Sequence, residues 1–143
     1  MNNPMPCQSL VYVSRSRLDR PHQDGEIDRI VEVSQARNAG LGVTGALIAT
    51  HYHFAQILEG PQAAIEDLMA SIFRDIRHDQ VTVIRLEDLP ITRFSGWSMA
   101  YSGTAGYVDR DIAPLFGHRP HLAPAPDSDR LVRLFKAFIA AAH

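Results

Sequence analysis

Val43-Thr-Gly-Ala-Leu-Ile-Ala-Thr50-His-Tyr-His53-Phe-Ala-Gln56-Ile-Leu-Glu59-Gly60-Pro61 is the stretch whose reading decides the fold. Val43 to Thr50 and His53 to Glu59 are two β-rich runs with so few residues between them that a hairpin is the natural connection. Gly60-Pro61 then opens a helix, because proline at the first helical position gives up no needed donor. That helix carries Ile65, Leu68, Met69, Ile72 and Ile76 as one apolar stripe, so two paired strands run directly into an amphipathic helix.

Working outward, Ser9 to Ser14 is β-branched and aromatic and reads as a first strand. Glu26 to Ala39 places Ile27, Ile30 and Val31 at helical spacing, continued by Ser34 and Asn38, and Gly40 and Gly42 stop it. Beyond the hairpin and its helix, Val81 to Leu86 reads as a fourth strand and Gly96 to Ser102 as a fifth. The order βαββαββ predicts an α+β sandwich of ferredoxin-like type, with a mostly antiparallel five-stranded sheet. Both helices would cover one sheet face and leave the other bare. Pro120, Pro124 and Pro126 mark a linker, and Ser128 caps a last helix with Leu131, Leu134, Phe135 and Phe138 at helical spacing, a candidate cover for that face. The expected division is a domain over 8–103 and a C-terminal helical extension over 104–143.

The 143 residues suit one domain with a real core, and their mixture of 45% hydrophobic and 21% charged residues is that of a globular protein. A formal charge of −2 offers no broad attraction for nucleic acid. The single cysteine, Cys7, cannot form an internal disulfide, and it falls outside the expected folded region. No apolar run is long enough to span a bilayer, and the first residues lack the basic start and apolar run of a signal peptide. A cytoplasmic protein without membrane attachment is the expectation.

Strand alternation puts Leu10, Tyr12 and Ser14 on one face, and likewise Phe54, Gln56 and Leu58, and Trp97, Met99 and Tyr101. Their bulky apolar members mark buried faces. Gln56 then sits between two large hydrophobes, where an unpaired amide costs roughly 1–3 kcal/mol. Asn38 poses the same problem on the stripe of the first helix. Each polar group taken singly is satisfied if it bonds only to protein or water. Tyr12, Asn38 and Gln56 converging from two strands and a helix instead offer fixed donors and acceptors in an apolar cleft, the layout of a small-ligand site.

Five segments in order resemble the BLUF family of blue-light sensors: Tyr12-Val-Ser14; Ser34-Gln-Ala-Arg-Asn38 with Val43-Thr-Gly-Ala-Leu47; Phe54-Ala-Gln56-Ile-Leu-Glu-Gly60; Arg74-Asp75-Ile-Arg77-His78; and Arg93-Phe-Ser-Gly-Trp97-Ser-Met99. The resemblance spans Leu10 to about Ser102 and implies non-covalently bound flavin adenine dinucleotide (FAD) between the two helices. It makes Tyr12 the electron donor to the excited flavin, Gln56 the bridge to its N5 and C4 carbonyl edge, and Asn38 the partner of its pyrimidine end. Ser14 lies near Tyr12, while Ile30, Leu58 and Ile65 pack the ring. Asp75, Arg77 and His78 lie near the ribityl and phosphate portion, and Trp97 and Met99 relay the signal. Arg37 stands where members vary, and the hairpin lacks the glycine usual there.

The resemblance further implies a two-state switch: an electron leaves Tyr12, a proton follows through Gln56, and the rearranged amide shifts the flavin band to longer wavelength. The expected protein is a sensor and not an enzyme, signalling to a separate downstream protein or through a homodimer. The rival readings are a small hydrolase of the same fold, for which the sequence shows no nucleophile–base pair, and a light-inactive interaction module. His51 and His53 alternate on a strand but bring no third metal ligand.

Overall fold

The computed structural model describes residues 7–19, 23–90 and 100–103, with positions 132, 133, 135 and 137 of the C-terminal segment. In chain order the elements are β1 (Cys7–Ser16), α1 (Asp24–Leu41), β2 (Thr44–Ala49), β3 (His53–Gly60), α2 (Gln62–Arg74), β4 (His78–Leu89) and β5 (Ala100–Gly103). The sheet order is β4-β1-β3-β2-β5. The first four strands pair antiparallel throughout, and the short β5 pairs with β2 in parallel. Trp97, Met99 and the first part of the expected fifth strand lie outside the described residues.

One sheet face meets both helices. Leu10, Tyr12, Leu47, Ala49, Phe54 and Leu58 pack there with Ile27 of α1 and Ile65, Leu68, Met69 and Ile72 of α2. On the opposite face Val11, Val13, Ile48, Ala55, Ile57 and Ile84 are also buried. Val132 and Phe135 of the tail are buried as well. The linker and the other positions expected to form the last helix lie outside the described residues. Glu59 is buried too, and the Ser9 hydroxyl donates to its Oε2 at 2.8 Å from the directly opposed position of β1.

Four details differ from the sequence reading. Cys7 is not outside the fold: it opens β1 and pairs with Leu89. Ile76 does not continue the α2 stripe, because the helix ends at Arg74 and Ile76 is 85% exposed. Gly40 does not stop α1, which runs on to Leu41; Gly42, at φ 70°, is the residue that ends it. β4 extends beyond Val81–Leu86 at both ends, because β1 offers partners from Cys7 to Ser16.

The β2–β3 turn manages without its usual glycine because Thr50 closes it. The Thr50 amide donates to the His53 carbonyl at 2.9 Å, and Thr50 Oγ1 accepts from the amides of Tyr52 and His53. A hydroxyl that satisfies the turn amides replaces the need for a left-handed residue. Gly45 answers a different demand, since a Cβ there would lie 2.3 Å from the Ile57 carbonyl oxygen.

Candidate functional site

Tyr12 and Gln56 occupy directly opposed positions of β1 and β3, on the face that meets the helices. That register brings the Tyr12 hydroxyl to the Gln56 Oε1, to which it donates at 2.5 Å, and both side chains are 4% exposed. They form part of the floor of a cleft of about 180 Å³. Ile30, Val33, Ser34 and Arg37 of α1 line one side, Ser71, Ile72, Asp75, Arg77 and His78 line the other, and Leu47 and Phe54 join the floor.

Of the residues expected at the site, Tyr12, Ile30, Gln56, Asp75, Arg77 and His78 line this cleft. Ser14, Asn38, Leu58 and Ile65 do not, and all four are buried. The Asn38 carbonyl accepts the Val43 amide at 3.0 Å, which fixes the end of α1 against the start of β2. The sequence reading does not anticipate Arg29, Val33 and Arg37 as lining residues. They recur every four residues along α1, one row over from the Ile27–Val31–Ser34–Asn38 stripe, and that second row is the available signal.

The charges are arranged unevenly. Burial pushes the Tyr12 phenol well above its ordinary value, Asp75 adds to the rise, and Arg37 opposes it. The phenol therefore holds its proton firmly. Burial also lowers the Arg37 guanidinium, against the pull of Tyr12 and Asp75. Hydrogen bonds from Arg77 hold the Asp75 carboxyl below its ordinary value despite partial burial. Arg77 grips Asp75 through Nε at 2.9 Å and Nη2 at 2.6 Å and reaches Glu26 of α1 at 3.5 Å, so the segment after α2 is tied to α1 across the cleft.

One polar atom lacks a partner among the described residues where a ligand would sit. Arg37 Nε is buried without a hydrogen bond to any of them, on a residue that lines the cleft. A planar heteroaromatic ring with an acceptor edge suits such a wall: aliphatic and aromatic sides, a phenol–amide floor and a buried cationic donor. The cleft thus fits a flavin ring.

Ser14 and His78 form a hydroxyl–imidazole pair at 2.7 Å that the sequence reading does not anticipate. Ser14 is fully buried and absent from the cleft wall, so its hydroxyl is held away from the cleft, and the other ring nitrogen of His78 lies 2.7 Å from the Ile72 carbonyl oxygen. Among the described residues, no group of three or more His, Cys, Asp or Glu is placed to hold a metal ion.

The family model described as BLUF, sensors of blue light using FAD, matches residues 7–100. The chain belongs to the BLUF family. FAD is the cofactor that defines this family, and blue-light reception with signal transduction is its activity. The blue light- and temperature-regulated antirepressor BluF of Escherichia coli is 27% identical to the BLUF chain over 134 residues, 93% of this chain and 33% of that protein. The photoactivated adenylate cyclase subunit beta of Euglena gracilis is 33% identical over 81 residues, 57% of this chain and 9% of that one. The chain thus spans a third or less of these relatives. The dark-state structure of the BLUF protein BlrB matches with a TM-score of 0.73 at 31% identity, covering 96% of this chain and 98% of that one. Klebsiella pneumoniae BlrP1, solved with FMN and cyclic diGMP, matches at 0.65 and 30% identity over 94% of this chain and 34% of that one. No helix among the described residues is long and apolar enough to cross a membrane.

Proposed function

We propose that the chain is a blue-light photoreceptor that holds FAD non-covalently between α1 and α2 and switches by rearranging the Tyr12–Gln56 hydrogen bond. The observation that carries this reading is the buried phenol donating to a buried amide in the floor of that cleft. When bound, the flavin supplies absorption of blue light and, once excited, an oxidant beside the floor. Everything else is the work of the chain.

Burial keeps Tyr12 protonated, so an electron leaving its ring releases a proton that has Gln56 Oε1 as its nearest acceptor. An amide accepts at one end and donates at the other, so Gln56 can pass on the change by presenting a different end to the flavin edge. Leu47, Phe54 and Ile72 give the cleft apolar, buried sides that disfavour water beside the phenol, which keeps the proton on this path. Arg37 offers its buried Nε, unpaired among the described residues, to an acceptor edge of the ring, and the resemblance of Ser34–Asn38 supports Asn38 as its companion at the pyrimidine end. Arg77 is already gripped by Asp75, so it serves a phosphate only as part of that pair.

In this reading the protein is a sensor and not a catalyst, Trp97 and Met99 ahead of β5 relay the change, and a downstream protein or a second copy of the chain receives it. The tail from 104 to 143 covers the sheet face opposite the helices or meets that partner; the burial of Val132 and Phe135 supports the former. Purified protein is expected to release FAD in equal proportion on denaturation and to be yellow beforehand. Colourless protein that takes up no added flavin sinks the proposal.

A further inference from the structure

His78 is the first residue of β4, four positions beyond the end of α2. Its Nε2 lies 2.7 Å from the Ile72 carbonyl oxygen and its Nδ1 lies 2.7 Å from Ser14 Oγ. A carbonyl can only accept, so Nε2 carries the proton; in the neutral ring Nδ1 then accepts and the Ser14 hydroxyl donates. The direction of this chain is thereby fixed, from Ser14 through the imidazole to the last turn of α2. Both ring nitrogens are occupied by protein, which leaves no polar atom of His78 for a flavin.

The same imidazole packs edge-on against two rings of the cleft floor. Its centroid is 6.1 Å from that of Tyr12, with the planes at 70°, and 6.1 Å from that of Phe54, at 77°. Ser14 follows Tyr12 by two residues on the same face of β1 and is directly opposed to Phe54 on β3. At its other end the chain reaches a carbonyl that also accepts the Asp75 amide at 3.2 Å, the bond that closes α2. His78 therefore touches the ring of the phenol and the cap of the helix through one rigid group.

We infer that His78 is a positioning residue that couples the state of the Tyr12–Gln56 pair to the C-terminal cap of α2, an output route separate from β5. The inference rests on the photoreceptor reading above. Any change in the Tyr12 ring, whose edge contact His78 shares, displaces an imidazole held at both ends by short hydrogen bonds. The compliant element on that path is the Ile72 carbonyl with its second bond to Asp75. Phe73 at 57% exposure and Ile76 lie on this same segment, so the displacement reaches apolar side chains open to solvent.

The test uses the full FAD-loaded chain, and measures hydrogen exchange of the Asp75 amide in dark and light, divided by the fraction of molecules photoconverted. Wild type is expected to change this exchange by about fivefold or more on illumination, the lower end of usual site-to-site coupling. His78→Leu is expected to lose that change per photoconverted molecule, and His78→Gln, which can still accept from Ser14 and donate to Ile72, to restore part of it. An equal response in His78→Leu and wild type overturns the inference. Nitrogen NMR of wild type gives a second check that needs no variant: an Nε2-protonated ring in the dark whose Nδ1 resonance moves in the light. Ring resonances that stay fixed while the flavin band shifts overturn the coupling and leave the photoreceptor reading intact; a flavin band that does not shift at all overturns both.

Discussion

The Tyr12 hydroxyl and the Gln56 amide oxygen meet at 2.5 Å because the two residues face each other directly across β1 and β3, at the centre of the sheet. The contact is thus written into strand register, not into a flexible loop. Tyr12→Phe removes the donor and keeps the ring, and is expected to lower unfolding free energy by about 1 kcal/mol, the usual net worth of one buried hydrogen bond. Urea denaturation of the two proteins measures it.

The buried phenol also sets an alkaline limit. Because the folded Tyr12 value is raised above the ordinary one, its contribution to stability is full below about pH 10 and is lost as pH climbs from there through the folded value. Thermal midpoints measured from about pH 8 upward should fall less steeply in Tyr12→Phe than in wild type.

At the acid end the sign reverses. Asp75 is held below the ordinary carboxylate value by Arg77, so its contribution is present above about pH 4 and is lost as pH falls through the lower folded value. Asp75→Asn should flatten the acid limb of the stability profile between about pH 5 and pH 2. It should also free Arg77, loosening the tie to Glu26 across the cleft.

Arg37 tests the fit of the cleft. If its buried Nε donates to the flavin, Arg37→Met should weaken flavin binding about tenfold, the equivalent of a charge-assisted hydrogen bond near the low end of its range. Equilibrium dialysis against FAD reads the change. Unchanged affinity would remove Arg37 from the binding set.

Two glycines of opposite character test the packing. Gly40 lies within α1, and a methyl group added there would meet nothing within 4 Å, so Gly40→Ala should add about 0.5–1 kcal/mol. Gly45 abuts the Ile57 carbonyl, so Gly45→Ala should cost about 1–3 kcal/mol by forcing β2 from β3. Denaturation midpoints should move in opposite directions.

The sequence is most legible where one period dominates. The hairpin and α2 show themselves by alternation and by the Ile65–Leu68–Met69–Ile72 stripe, all four of which are buried. The convergence of Tyr12 and Gln56 follows from alternation once both strands are placed. Ile76 misleads because spacing continues past a helix end that the backbone sets: at Asp75 the chain turns extended. The resemblance marks Arg37 only as a position where members vary, and nothing in the sequence shows that the neighbouring wall closes over its side chain. The Ser14–His78 bond joins residues 64 apart in sequence, and only the β1–β4 pairing brings them together.

The most direct measurement is the light-minus-dark absorption spectrum of the FAD-loaded chain, recorded in parallel for wild type, Tyr12→Phe and Gln56→Leu. Wild type should show its flavin band move reversibly to longer wavelength, and both variants should keep bound flavin while losing the shift. A wild-type shift that persists at full size in either variant would contradict the account.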